Sequence, residues 1–404
     1  MEGPQCNDET PCISCIRRGE NCLRLVRCNR VPSIPAMPTQ TLLPSSKTTD
    51  AVVNLLHLKL FHHFQTCTYL TLLIAPEVWL QALQLSFQFE FLMNAILCVA
   101  ARHLAILQPE DLAYPTAAES HLCRALSLFR HVLSNSFTSI HIDAFIATSV
   151  LLQYEVWTST DFISCRDGVE CFDPSRDRIF TLSSGLKQVF LETVPLTYDQ
   201  PSVFLPQTAC NGRDKLVPAA QISNSTLAKY QRFFSYYRPL GLEQLNIPLP
   251  FTRGTDLATS NAWQDHVPEI QDALDPIRDG YVPIITHLCL ILSFLPEARL
   301  SDSIDAESPL LLGLGRYIFT FPVLCRNLFA SMVQQSDPHT LLLLYHFYRA
   351  VRILLPKGEY WWAHKRAAVS ETVLKKWLTS EIAKQALNDI PIHEYDDLYN
   401  PSTN

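Results

Sequence analysis

The sequence predicts an all-α body. Apolar residues recur at i, i+3, i+4 and i+7 over several long stretches. Strand-like alternation is scarce, and no repeat of the solenoid kind is present. Apolar residues make up 48% of the 404 and charged residues 18%, a core-rich composition that excludes disorder for most of the chain. The length suits one large domain or two ordinary ones. A formal net charge of -7 excludes nucleic-acid binding by bulk electrostatics, so any such contact has to come from a local basic patch.

Taken in order, residues 1–28 form a cysteine-rich head. Residues 29–49 follow, with four prolines among Ser and Thr and no helical period, and read as an extended linker. No a/d heptad is present here, so a coiled coil directly after the head is not expected. From Asp50 the pattern becomes helical, with Asp50 or Thr49 as the cap of a helix through VVNLLHLKLFHHFQTCTYLTLL. Residues 90–107 place Leu92, Ala95, Ile96, Val99, Ala100, His103, Leu104 and Leu107 on one face, and Pro109 stops the helix. Residues 116–134 repeat the pattern, and residues 141–157 are apolar nearly all round, as a central core helix would be.

Residues 160–175 and 199–222 read as loops, with a helix at about 177–193 between them. Short helices are expected at 224–237 and 265–273, with a connector at 239–256. Longer ones are expected at about 276–295, 309–335 and 338–355, and a last one through WWAHKRAAVSETVLKKWLTSEIAKQAL. The resulting division is 1–28 head, 29–49 linker, 50–390 helical regulatory body and 391–404 polar tail. The longest apolar runs, SVLLQY and LCLILSFL, are interrupted by Glu155 and by Pro296 and Glu297, so no membrane partner is expected.

Four cysteines, Cys6, Cys12, Cys15 and Cys22, fall in CNDETPCISCIRRGENC at C-x5-C-x2-C-x6-C spacing. A two-residue turn brings two sulfurs to one side, and four thiolates suit a tetrahedral zinc ion. Pro11 and Gly19 turn the chain between them. The first thirty residues hold no secretory h-region. A reducing intracellular compartment is therefore expected, where clustered cysteines mean metal more often than disulfide. Four unrelated reduced cysteines are the plain alternative. Nine of the 13 cysteines lie outside the cluster, and Cys98, Cys123, Cys289 and Cys325 sit in apolar runs as small buried hydrophobes would.

The cluster resembles the second half of a fungal zinc binuclear cluster, the Zn2Cys6 DNA-binding domain of fungal transcription factors. Cys6, Cys12, Cys15 and Cys22 match the third to sixth cysteines of C-x2-C-x6-C-x5-12-C-x2-C-x6-8-C. Asp8-Glu9, Pro11 and Arg17-Arg18-Gly19 also fit. The resemblance implies structural Zn2+, contact with DNA at CGG-type half-sites, and a nuclear location. Arg17 and Arg18 would touch phosphates and position the head without reading sequence, the alternative being two solvated arginines. Residues 1–30 hold five arginines against four carboxylates, one net positive charge and a thin electrostatic footprint. The family's first C-x2-C and its basic helix would precede Cys6, where this sequence has only MEGPQ. Four thiolates cannot complete a two-zinc cluster, which leaves one reorganised tetrahedral zinc or no ordered metal site. A segment upstream of the given start and a true half-cluster both remain open.

The body is similar to the regulatory domain of the sterol uptake control type of regulator and of regulators of secondary-metabolite gene clusters, on NLLHLKLFHHF, EFLMNAILCVAARHLA and GEYWW. That resemblance implies homodimerisation or heterodimerisation through the helices and an apolar small-molecule effector. A second reading is a helical ligand- or partner-binding regulator without autonomous DNA binding; an all-α enzyme has the least support. His57, His62 and His63 have poor metal spacing, and Trp361 and Trp362 suit core packing better than a pocket. Asp396-Asp397 lies in the polar tail. Gly313 and Gly315 form a G-x-G without the third glycine or a preceding strand, and no G-x-S-x-G or P-loop is present.

Overall fold

A computed structural model describes residues 54–135, 142–166, 169–193, 202–209, 212–221, 282–295, 309–325 and 327–380. The chain divides at Val53/Asn54, and all of these residues belong to the second unit. The described residues are mostly helical, as expected.

Helix α1, Leu55–Thr66, is capped by Asn54, whose Oδ1 accepts from the His57 backbone N–H at 3.2 Å. Asp50 and Thr49, the expected caps, lie outside the described residues. The helix stops at Cys67 and gives way to a 3-10 turn, Thr68–Thr71. Helix α2, Pro76–Ser86, follows with proline in its first turn, and the sequence reading passed over it. Helix α3, Glu90–Leu107, buries the expected stripe except Leu107, which is exposed where the helix ends. This helix is long and apolar enough to cross a membrane, contrary to expectation, but 67% of it is buried inside the protein. Helices α4, Ala113–Asn135, and α5, Ile142–Thr158, complete the first half.

Every residue of α5 from Ala144 to Trp157 is buried, so α5 is the central rod of the core. α3 packs on α4 and α5, and α1 and α2 pack on α3. A two-stranded antiparallel hairpin, β1 Ile163–Arg166 and β2 Val169–Phe172, occupies part of the expected 160–175 loop, with Ile163 opposite Phe172. Helix α6, Ile179–Thr193, begins two residues after Asp177, whose Oδ1 accepts from the Ile179 N–H at 3.0 Å. The expected loop at 199–222 also holds two short helices, α7 Leu205–Ala209 and α8 Arg213–Gln221.

In the C-terminal half come α9 Val282–Leu292, α10 Pro309–Leu324, α11 Asn327–Gln334, α12 Pro338–Leu354 and α13 Trp361–Leu378. The expected helix at 309–335 is thus two helices, parted after Leu324. Asp337 caps α12 by accepting from the Thr340 N–H at 2.8 Å. The helices expected at 224–237 and 265–273, the connector at 239–256 and the tail at 391–404 lie outside the described residues.

An aromatic hub joins the two halves. Trp157 of α5 and Trp362 of α13 meet edge to face at 5.2 Å, and Phe319 of α10 meets Trp362 at 5.1 Å. The Trp157 indole N–H donates to the Phe319 carbonyl at 3.2 Å. Trp361 and Trp362 are buried, as core packing requires. Cys98, Cys289 and Cys325 are buried as expected, but Cys123 is exposed.

Candidate ligand-binding site

The cysteines Cys6, Cys12, Cys15 and Cys22, and Arg17 and Arg18, lie outside the described residues. Among the described residues no group of three or more His, Cys, Asp and Glu side chains is placed to hold a metal ion. The α1 histidines separate: His57 meets His121 with ring centroids at 4.7 Å, while His63 meets His103 at 5.0 Å. The G-x-G of α10 is a packing feature. Gly313 lies against Gly212, whose φ is 83°, and Gly315 lies under the Tyr360 ring.

One half-buried cavity of about 60 Å³ opens between α5, α6, α10 and the segment after the 3-10 turn. Its walls are apolar: Leu73, Ile74, Val150, Leu186, Phe190 and Phe319. α5 reaches it with Ser149 and Gln153, one turn apart and so on one face. Their positions follow from the burial of α5 on all sides, which leaves no solvent face for a polar residue. The Gln153 carbonyl accepts from the Ser183 hydroxyl at 2.9 Å, but the Gln153 amide nitrogen and the Ser149 hydroxyl are buried without a partner. Leaving a buried polar group unsatisfied costs about 1–3 kcal/mol, and these two sit one turn apart on α5.

Arg316 faces the same cavity from α10 and is half-buried. Its Nε donates to the Leu73 carbonyl at 2.9 Å, and the Leu73 N–H donates to the Tyr154 hydroxyl at 2.7 Å. The Leu73 peptide therefore bridges α10 to α5 and holds the guanidinium at the cavity. Burial pushes the Tyr154 phenol up, so it stays neutral. Arg316 has no carboxylate within ion-pair distance among the described residues. The mouth is formed by Gln207, Thr208, Arg316 and Thr320, which are half-exposed. Sequence reasoning missed this site. Ser149 and Gln153 stood in a run read for its apolarity, and Arg316 in a stretch read for its glycines.

Among the described residues, no nucleophile with a positioned base lines the cavity. No protein-family model matches the chain. Curated relatives are more informative. The chain is 32% identical over 127 residues to a Zn(2)-C6 fungal-type transcription factor of Gibberella zeae, covering 30% of this chain and 26% of that protein. It is 32% identical over 109 residues to Sterol uptake control protein 2 of Saccharomyces cerevisiae, covering 26% of this chain and 12% of that protein. It is 28% identical over 166 residues to the Zn(2)-C6 fungal-type transcription factor afumD of Aspergillus fumigatus, 38% of this chain and 43% of the relative. The matches span less than half the length of each of these relatives. The chain is thus similar to fungal Zn2Cys6 transcription factors, which are regulators and not enzymes, in agreement with the sequence resemblance.

Proposed function

We propose that this chain is a nuclear fungal transcription regulator of the zinc-cluster type, controlling a metabolic or secondary-metabolite biosynthetic gene cluster. The observation that carries the reading is the similarity, in one chain, to three proteins named as regulators or control proteins, beside a four-cysteine head at C-x5-C-x2-C-x6-C spacing. In this reading residues 1–28 bind DNA, 29–49 are a linker, 50–390 form the regulatory body and 391–404 a tail.

Cys6, Cys12, Cys15 and Cys22 would hold structural zinc; four thiolates are a donor set that zinc favours. Zinc supplies cross-linking of the head and no catalysis. Arg17 and Arg18 contact phosphates, and CGG-type half-sites are the DNA partner. The body dimerises, with itself or with a related chain, and takes an apolar small-molecule effector. Chromatin occupancy of the tagged full chain tests the reading: enrichment at discrete loci is expected, and a nuclear-excluded chain without loci overturns it.

The cavity between α5 and α10 supports a second reading, a helical effector-binding regulator that acts through a partner and does not bind DNA by itself. Loss of loci on removal of a related DNA-binding protein is its signature.

A further inference from the structure

We propose that a basic groove between α12 and α13 takes the acidic segment 394–399 of this same chain. The groove has a volume of about 510 Å³, and its charged lining is Arg352 of α12 with Glu371, Lys375 and Lys376 of α13. Three cations thus stand against one carboxylate, on a chain whose formal net charge is -7. The Glu371 carboxylate is largely buried and already answered. Arg352 donates to it from Nε and from Nη2, the latter at 3.1 Å, and Arg349 Nε lies 4.0 Å away. Arg352, Lys375 and Lys376 are exposed, so the surface left to a partner is positive.

An acidic occupant answers such a surface, and the chain carries one within reach. Glu394, Asp396 and Asp397 place three carboxylates in four residues, and residues 381–404 hold five carboxylates against the single Lys384. The chain passes the groove at Thr379, which also lines it. Thirteen residues, 381–393, then lead to Glu394. Extended, they span up to about 45 Å. The groove follows α13 from Ala368 to Thr379, a rise of only about 16 Å. The carboxylates can therefore return to Arg352, Lys375 and Lys376. Tethering gives the segment an effective concentration on the order of millimolar, which an acidic partner from solution has to exceed. While the segment is held, the groove is closed to such partners.

Fluorescence anisotropy of a labelled peptide of residues 391–400 against the full chain tests this. A full chain carrying Glu394→Gln, Asp396→Asn and Asp397→Asn is expected to bind the peptide at least tenfold more tightly than the unsubstituted chain, whose own segment fills the groove. Adding Lys375→Glu and Lys376→Glu to that variant is expected to abolish the binding. Both lysines are exposed, so the fold should survive the change. High salt checks the same point without touching the lysines, and should weaken the peptide several-fold. Equal binding by the unsubstituted and the neutralised chain, binding that survives Lys375→Glu/Lys376→Glu, or no binding at all (lysines that serve only the end of α13) overturns the proposal. So does a duplex without CGG sites that binds the groove more tightly than the peptide, which would make it a nucleic-acid surface. The peptide is read without DNA or zinc, so its failure is distinct from a failure to occupy chromatin.

Discussion

Arg366 of α13 and Asp177, ahead of α6, form an ion pair in which each side chain is 1% exposed. The Arg366 guanidinium also donates to the Val156 and Ser159 carbonyls at 3.2 and 3.0 Å and to the Tyr348 hydroxyl at 3.0 Å, and lies 4.4 Å from the Phe162 ring centroid. One side chain thus ties α13 and α12 to the end of α5 and the start of the hairpin. Arg366→Met would leave the Asp177 carboxylate buried without a counter-charge, held only by the Ile179 N–H, at a cost of about 3–5 kcal/mol. Urea unfolding should show this loss, and the double variant Arg366→Met/Asp177→Leu should recover much of it.

Gly315 is held glycine by Tyr360. A Cβ there would sit 2.4 Å from the ring carbon Cε1, and the ring is buried with its hydroxyl donating to the Leu311 carbonyl at 3.2 Å. Gly315→Ala should destabilise by about 1–3 kcal/mol as α10 and α13 are forced apart. Gly212→Ala should cost at least as much. It adds a positive φ to a Cβ placed 2.3 Å from the Gly313 carbonyl oxygen. Melting temperatures of both variants check this.

Ser149→Ala is expected to behave in the opposite way. The hydroxyl makes no hydrogen bond, and alanine is the better helix former by a few tenths of a kcal/mol. Stability should hold or rise by up to about 1 kcal/mol. A clear loss of stability would mean that the hydroxyl is satisfied.

Acid should loosen the α1–α3–α4 corner. His103 is pushed down to about 4 by burial and then by the facing His63, while its Nδ1 pairs with the Thr68 hydroxyl at 3.1 Å. His121 is pushed down to about 4 by burial, then by His57 and Arg124, and pairs with the Asn94 side-chain carbonyl at 2.9 Å. Both are neutral in the fold, so the unfolded chain binds more protons below its ordinary histidine pKa of about 6.5. Their contribution is full above pH 6.5 and is lost as the pH falls through 4. Stability measured at pH 7 and pH 4.5 should differ by roughly 2–4 kcal/mol, taking about 1.4 kcal/mol per pKa unit over two groups with partial titration. His103→Gln should remove part of that difference.

How far the sequence could be read depends on the physical signal each element leaves. Helices α3 and α5 were legible because burial against neighbours imposes a period, or removes it altogether when every side is covered. α2 is short, and its face of Val78, Trp79, Ala82 and Leu83 is a weaker signal than the four-turn stripe of α3. The hairpin was hidden because four-residue strands cannot show alternation beside Gly168 and Pro174. The parting of α10 from α11 falls at the polar pair Arg326-Asn327, too short an interruption to break the apolar period on either side. The cavity was illegible for a deeper reason: which residues line it is decided by what lies opposite in space, and no local pattern encodes that. The cysteine cluster is the reverse case: it lies outside the described residues, and its reading rests on spacing alone.

The central claim is that the cysteine head brings this chain to DNA. Retention of the full chain on a CGG-bearing duplex at low salt, beside its Cys12→Ala variant, tests it most directly. The account predicts that the unsubstituted chain is held and that Cys12→Ala is not. Equal retention of both, or of neither, would contradict it.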